Sequence, residues 1–305
     1  MHDYQHGWKR SGANWRHLLI NPVLNKEFRL RMRSKRAMWT LFFYLFAIGL
    51  LTFTAVYLTQ VISGRSNSFN PDSGRMLFIF LSMAQMGLIA FMAPGLTAGI
   101  ISGEREKQTL NLLLTTPQSS ATIIMSKLAA SLSFMVLVVL STIPMYSIVF
   151  LYGGVSPKQL IFVFLYYLFL MLVLGSLGIM FSTLFKRTML SVIVTYGVTL
   201  FLFAGTVVIY FLLQAFLQQS SVQYGAVSYW MGHVMALNPA AALYSLFEPT
   251  FSDSVYRSIS WSGPSSVQSA PLQLWQLFLI VYTVLIALAL WIAIRKLRPS
   301  LKRRR

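Results

Sequence analysis

The chain has 305 residues, of which 56% are hydrophobic and only 10% are charged, and its formal net charge is +18. Soluble domains are typically about 25% charged, so this composition excludes a soluble globular protein of this size. The absence of cysteine excludes a disulfide framework, a thiolate metal site and a cysteine nucleophile. Nucleic-acid binding is disfavoured, because the cations flank the apolar segments instead of forming a basic face on a folded domain.

Six apolar segments of about 20 residues or more predict six transmembrane helices. Their expected bounds are 38–60, 76–101, 122–151, 159–185, 189–217 and 272–294. The first segment is too long for the core of a signal peptide, so we expect it to remain as a true span. The chain is thus predicted to be an all-α integral membrane protein, with residues 37–294 forming a six-helix transmembrane domain.

The distribution of Lys and Arg predicts the orientation. With six spans, 21 of the 25 cations lie on one side, including those of the N-terminal region and of the basic tail at 295–305. The other side holds only Arg65, Arg75, Lys158 and Arg257. Because cytoplasmic loops are enriched in Lys and Arg, both termini are predicted to be cytoplasmic. Lys127 lies near the start of the third span, and we expect its long side chain to reach the lipid headgroups.

Residues 1–36 form the predicted cytoplasmic N-terminus, and about 21–36 have the pattern of an amphipathic helix. Asn21 can cap it and Pro22 suits its first position. An apolar stripe recurs every four residues and includes Leu24, Phe28 and Met32, while Glu27 can pair with Arg31. Such a helix lies in the membrane interface. The simpler alternative is a positively charged flank without a specific role.

The predicted cytoplasmic loop 102–121 combines a charged cluster with exposed leucines. Glu104, Arg105 and Glu106 begin it, a Leu-rich turn follows, and Thr116-Pro117 ends that turn. Ser119 or Ser120 can cap the next helix. Exposed apolar residues next to charges favour docking of a soluble partner, although the leucines could instead pack on neighbouring helix ends.

The longest connection, 218–271, is predicted to be extracellular. Its aromatic and leucine content indicates two short interfacial or re-entrant helices, and Asn238-Pro239 breaks it in the middle.

Two segments resemble the type-2 ABC permease family. Loop 102–121 is similar to that family's first cytoplasmic loop, and Asn21 to Glu27 with the following arginines is similar to its elbow helix. The resemblance covers essentially the whole chain. The loop residues that carry it, which by the resemblance would couple to the ATPase, are Glu104, Arg105, Glu106, Thr109, Leu110, Leu113, Leu114 and Pro117, with Ser119 and Lys127 completing the pattern.

The resemblance implies that two permease subunits, identical or different, line a path between them and that two separate ATPase subunits bind below. The helix around Thr109 to Leu114 would transmit closure of the ATPase dimer. The chain has no phosphate-binding loop, so ATP and magnesium are expected on the partner and no catalytic, cofactor or metal site on this chain. The expected location is the plasma membrane of a prokaryote, with several spans in the bilayer.

No ionisable residue lies at a span centre, which disfavours a proton- or sodium-coupled carrier. If polar span residues line a path, it is neutral and suits lipid-like, peptide or hydrophobic drug substrates. The candidate path residues are Gln85, Thr195, Tyr196, Thr199, Thr206 and Tyr210. We expect Gly175, Gly178, Gly197 and Gly205 to serve helix packing, and Pro94 and Pro144 to kink their helices.

Three other functions make different demands on the sequence. A membrane-embedded hydrolase needs paired carboxylates or histidine partners, which this chain lacks. A secondary carrier or channel would not need the pattern of loop 102–121. A non-transporting scaffold that keeps the same fold stays open, because a fold does not determine function.

Overall fold

The computed structural model describes residues 34–62, 71–109, 119–151, 153–219, 232–257 and 272–297. Within these ranges the regular secondary structure is helical, without strands. Six helical segments are long and apolar enough to cross a membrane, which confirms the predicted all-α membrane architecture. These segments, spans 1 to 6, are Ala37–Thr59, Asp72–Glu106, Ser120–Leu151, Pro157–Leu184, Thr188–Phe216 and Leu274–Leu297.

Several spans are built from more than one helix. Span 1 is α1 (Lys35–Ile62), span 2 comprises α2 (Pro71–Thr97) and α3 (Ile100–Glu106), and span 3 comprises α4 (Ser120–Leu140) and α5 (Ile143–Leu151). Span 4 is α6 (Pro157–Leu184), and span 5 comprises α7 (Thr188–Leu200), a π-helical segment (Phe201–Gly205) and α8 (Thr206–Gln219). Two short helices, α9 (Pro239–Phe247) and α10 (Pro249–Arg257), precede span 6, which is α11 (Leu274–Leu297).

The breaks in spans 2 and 3 lie beside prolines. Proline removes a backbone donor and crowds the preceding turn, so it weakens the helix around it. Helix α2 ends at Thr97, three residues after Pro94, and α5 begins at Ile143, directly before Pro144. The break in span 3 thus lies at Pro144, whereas α2 continues through Pro94 and ends three residues beyond it.

Span 4 is the centre of the bundle and contacts spans 2, 3, 5 and 6 as well as α9. Its glycines allow this close packing. A Cβ atom on Gly178 would overlap the side chain of Thr97, and one on Gly175 would lie 3.0 Å from Leu128 Cδ1. The glycines of span 5 differ: a Cβ on Gly197 would meet nothing within 4 Å, and the nearest atoms to one on Gly205 belong to Phe201 of the same span. The expected packing role is thus seen in span 4 only.

Spans 1 and 5 are the least buried of the six. Their exposed side chains are large and apolar, including Trp39, Phe42, Phe46 and Phe53 on span 1 and Met189, Ile193, Phe211, Leu212 and Phe216 on span 5.

The segment between spans 5 and 6 enters the bundle. Residues 232–236 are helical, and α9 follows with its Ala242 and Leu243 fully buried in the main core. Asn238 caps α9, because its Oδ1 accepts hydrogen bonds from the N–H groups of Ala240 and Ala241. The described residues of this connection contain three short helical segments where two were expected: 232–236 before the Asn238-Pro239 break, and α9 and α10 after it.

Several predictions fall on residues outside the described ranges. They concern the elbow helix and the leucine-rich part of the coupling loop, and the residues are Leu24, Glu27, Phe28, Arg31, Met32, Leu110, Leu113, Leu114 and Pro117.

Candidate coupling site

Three consecutive residues at the end of α3 contact three different spans. Glu104 bonds to span 3, Arg105 to the end of span 4 and Glu106 to the start of span 5. They end span 2 and are the first three of the residues that the resemblance assigns to coupling with the ATPase. Each contact has its own chemistry.

Glu104 forms an ion pair with Lys127, which lies in the second turn of α4. The Lys127 Nζ to Glu104 Oε1 distance is 2.5 Å, and the side chain of Lys127 is only 2% exposed. Apolar residues of the same region, including Ile101, Ile123 and Leu128, form a buried cluster. An ammonium group among apolar side chains requires a charged partner, because burying it alone is very costly. The expectation that Lys127 reaches the headgroups is therefore wrong: it points inward to Glu104.

Arg105 caps the C-terminal end of α6. Its Nη2 donates to the carbonyl oxygen of Thr183 and its Nη1 donates to that of Phe185, each at 3.3 Å. The last carbonyls of a helix have no partner within the helix and carry partial negative charge, so a guanidinium group both satisfies and stabilises them. The forked guanidinium contacts two of these oxygens at once.

Glu106 caps the N-terminal end of α7. Its two carboxylate oxygens accept hydrogen bonds from the backbone N–H of Thr188, at 2.7 Å, and from the hydroxyl of Thr188, at 2.8 Å. The first N–H groups of a helix lack intrahelical acceptors, and the helix dipole favours a negative charge there. Arg105 and Glu106 therefore hold the two sides of the short connection between spans 4 and 5.

The chain leaves α3 through a left-handed residue. Gln108 has φ of 58°, and its N–H donates to the carbonyl of Arg105 at 3.1 Å. The N–H of Thr109 donates to the carbonyl of Glu104 at 3.0 Å, and its hydroxyl donates to the same oxygen at 3.2 Å. This pair of backbone bonds around a left-handed residue is a Schellman motif. It fixes the direction in which the chain continues toward residue 110.

Two serines hold the break between α2 and α3, and sequence reasoning missed both. Ser182 of span 4 accepts hydrogen bonds from the N–H groups of Ile101 and Ser102, at 2.8 and 2.9 Å. Ser191 of span 5 donates to the carbonyl of Ala98 at 2.6 Å. A helix break leaves backbone groups without partners, and these hydroxyls supply them. The only sequence signal was a serine within an apolar span.

The candidate path residues lie in two places. Gln85 is fully buried between spans 2 and 3 and donates through Nε2 to Thr142 Oγ1 at 3.0 Å, whereas the other five are spread along span 5. The hydroxyls of Thr195 and Thr199 donate to carbonyls of their own helix. Tyr196 is partly exposed and donates to the carbonyl of Phe91 at 2.8 Å.

The two remaining path candidates contact the segment before span 6. Thr206 Oγ1 accepts a hydrogen bond from Asn238 at 2.8 Å, and the hydroxyl of Tyr210 donates to the carbonyl of Val255 at 3.4 Å. Within the described ranges, no group of three or more His, Asp or Glu side chains has a spacing that could hold a metal ion.

Comparison with known proteins gives one family. The family model described as ABC-2 family transporter protein matches residues 21–296, a range that includes spans 1 to 5, all but the last residue of span 6 and the three anchoring residues. A search of the curated proteins found no match.

Proposed function

The chain belongs to the ABC-2 transporter family, and from that premise we propose that it is the permease subunit of an exporter that moves a hydrophobic or amphipathic substrate. ATP hydrolysis on a separate subunit drives the movement. The observation that carries the proposal is the attachment of Glu104, Arg105 and Glu106 to three different spans.

The attachment gives the loop after Thr109 a mechanical connection to the bundle. An ATPase that contacts this loop on the cytoplasmic side displaces α3, and α3 is bonded to spans 3, 4 and 5. Burial of Lys127 makes this connection stiff, because separating it from Glu104 would leave a buried charge without its counter-charge. The break at Gly99, held by Ser182 and Ser191, lets α3 tilt while α2 keeps its place in the core.

The chemistry of the exposed spans supports the substrate class. Several polar side chains of spans 2 and 5 bond within the subunit, as Gln85 Nε2 does to Thr142 and Thr195 to Ser191. The faces of spans 1 and 5 that stay exposed carry large apolar side chains. A path between two permease subunits along these faces is neutral and apolar, so it suits a lipid, an apolar peptide or a hydrophobic drug.

Co-purification and ATP hydrolysis test the proposal. The tagged chain is extracted in mild detergent, its partners are identified by mass spectrometry, and ATPase activity is measured. We expect a stoichiometric partner that carries a phosphate-binding loop, and we expect L110D/L113D to lose it, because carboxylates replace the apolar side chains at the contact. The matched control T250D/S254D adds two carboxylates on exposed positions of α10 and should keep the partner.

Two results would refute the proposal. The chain could purify alone under several extraction conditions, which would leave a carrier or a scaffold to be tested. L110D/L113D could also retain the ATPase at the parent level, which would remove the loop from the contact.

A further inference from the structure

Asn238 uses its whole hydrogen-bonding capacity inside the protein. It is fully buried, and a carboxamide has two donor hydrogens and an oxygen that accepts two bonds. Its Nδ2 donates to the carbonyl of Phe203 at 2.6 Å and to Thr206 Oγ1 at 2.8 Å. Its Oδ1 accepts from the N–H groups of Ala240 and Ala241 at 2.7 and 3.1 Å. One side chain thus joins span 5 to the start of α9.

The side of span 5 that Asn238 contacts is the π-helical segment Phe201–Gly205. Here the N–H of Thr206 bonds to the carbonyl of Phe201, five residues back. The carbonyls of Leu202 and Phe203 accept side-chain donors, the first from Thr206 Oγ1 at 2.8 Å and the second from Asn238. A π-helical turn inside an α-helix is a local irregularity that often lies at a functional position. Asn238 and Thr206 together supply donors to it.

The turn around Asn238 is also held by two tyrosines. Tyr282 of span 6 donates to the carbonyl of Leu237 at 2.6 Å, and Tyr166 of span 4 donates to that of Pro239 at 2.7 Å. These bonds fix the backbone on both sides of Asn238. Its carboxamide is the hydrogen-bonded link from this turn to span 5.

We propose that Asn238 is a positioning residue that attaches α9 to the π-helical segment of span 5, so that this segment and α9 move as one unit. The transport role of this unit rests on the function proposed above. Span 5 is attached to Glu106 at one end, through Thr188, and to Asn238 at the π-helical segment. A displacement of α7 by the coupling segment therefore reaches α9 through a hydrogen-bonded contact.

The chemistry of Asn238 allows its two roles to be separated. Serine is also a good helix cap, so Asn238→Ser retains an acceptor for the first N–H groups of α9 but has no amide donors for span 5. Thr206→Val removes the hydroxyl, which is one of the two acceptors of the Asn238 amide on span 5, whereas Thr206→Ser keeps that hydroxyl. Thr283→Val is the matched control, because Thr283 also donates to the carbonyl four residues back but is exposed.

Thiol labelling measures the attachment directly, because the chain has no native cysteine. Ala242→Cys places a thiol on α9, and Ala293→Cys places one in the separate buried cluster beside Lys127; both alanines are fully buried. The rate of labelling by N-ethylmaleimide is measured on the full chain in lipid nanodiscs without nucleotide. With Asn238→Ser or Thr206→Val we expect the thiol at position 242 to label about tenfold faster or more. Each variant loses buried hydrogen bonds between position 238 and the π-helical segment, so α9 should open more often.

The control variants and the second labelling position distinguish a local effect on α9 from destabilisation of the whole chain. Labelling at position 293 should stay at the parent rate, and Thr206→Ser and Thr283→Val should leave position 242 protected. If Asn238→Ser labels position 242 at the parent rate, or accelerates positions 242 and 293 equally, the proposal is overturned. The ATPase and co-purification assays are independent of this readout, so a failure of the proposed function is distinguishable from a failure of the attachment.

Discussion

Glu104 and Lys127 form an ion pair at 2.5 Å although they lie 23 positions apart in sequence and on different spans. The two partners differ in environment, since the Lys127 side chain is 2% exposed and that of Glu104 is 29% exposed. Oε2 of Glu104 is buried without a hydrogen-bond partner, so the carboxylate must rotate toward the exposed part of its side chain to be hydrated when the pair is broken, and the enclosed ammonium group has less room to do so.

This asymmetry predicts unequal effects of the two single substitutions. Glu104→Gln leaves a buried cation without its counter-charge and should lower the free energy of unfolding by about 3–5 kcal/mol. Lys127→Met should cost less, because Glu104 can be solvated and methionine fills the apolar site. The double variant should be more stable than Glu104→Gln alone.

Chemical unfolding of the purified chain in detergent provides the measurement, with Lys107→Met as the control for an exposed cation at the same end. Equal losses for the two single variants would mean that Lys127 reaches solvent.

The break in span 2 gives a second prediction. Ser182→Ala removes the acceptor of two buried N–H groups and should destabilise the chain by about 1–3 kcal/mol. Ser176→Ala is the matched control, because Ser176 is equally buried on the same helix but donates only to the carbonyl of Val173 in its own helix. Thermal unfolding midpoints compare the two, and similar shifts would show that the break does not depend on Ser182.

Glycine substitutions give a third prediction. Gly178→Ala places a methyl group against the side chain of Thr97 and 3.3 Å from the backbone nitrogen of Ala98. Overpacking of this kind costs about 1–3 kcal/mol, so we expect lower stability and a lower yield of folded protein. Gly197→Ala meets nothing within 4 Å and should leave the isolated subunit at least as stable, since alanine favours helix. The fraction of protein that stays monodisperse on size-exclusion chromatography after heating would measure the stability of both variants.

The opposite end of the bundle gives a fourth prediction, of a small effect. Arg75 and Glu248 form an ion pair at 2.7 Å with side chains 45% and 36% exposed. Exposed pairs contribute about 0–1 kcal/mol and are screened by salt, so Glu248→Gln should change stability by less than about 1 kcal/mol at moderate ionic strength. Arg75→Ala should cost more, because Arg75 also donates to the carbonyl of Phe247. Unfolding curves at low and high salt would test this, and a loss of several kcal/mol for Glu248→Gln would contradict it.

The spans and the interruption at Asn238-Pro239 could be predicted because each depends on local sequence. A bilayer requires about 20 apolar residues for a helix, prolines weaken the helix around them, and Asn followed by Pro is a typical helix start. Ser119 likewise caps α4, as its position before the apolar segment indicated. The family resemblance rested on the same kind of local pattern and agrees with the family match.

The inward orientation of Lys127 and the roles of Ser182 and Ser191 could not be predicted, because their partners are distant in sequence. A lysine near the start of a span is compatible with both a headgroup contact and a buried ion pair, and only the position of Glu104 distinguishes them. The same holds for the π-helical segment, whose freed carbonyl is satisfied by a side chain 35 positions away. The sequence predicted a coupling loop but not which spans its first residues contact.

Three consecutive residues anchor the end of α3, so its attachment to the bundle does not depend on a single contact. The end of α3 is held by three contacts: an ion pair with the buried Lys127, a cation on a helix C-terminus and a carboxylate on a helix N-terminus. High salt weakens the exposed Glu106 contact far more than the buried one, and a polar substitution at one position leaves the other two in place. Removing one of the three contacts therefore leaves the end of α3 attached to two other spans, and removing two leaves it attached to one.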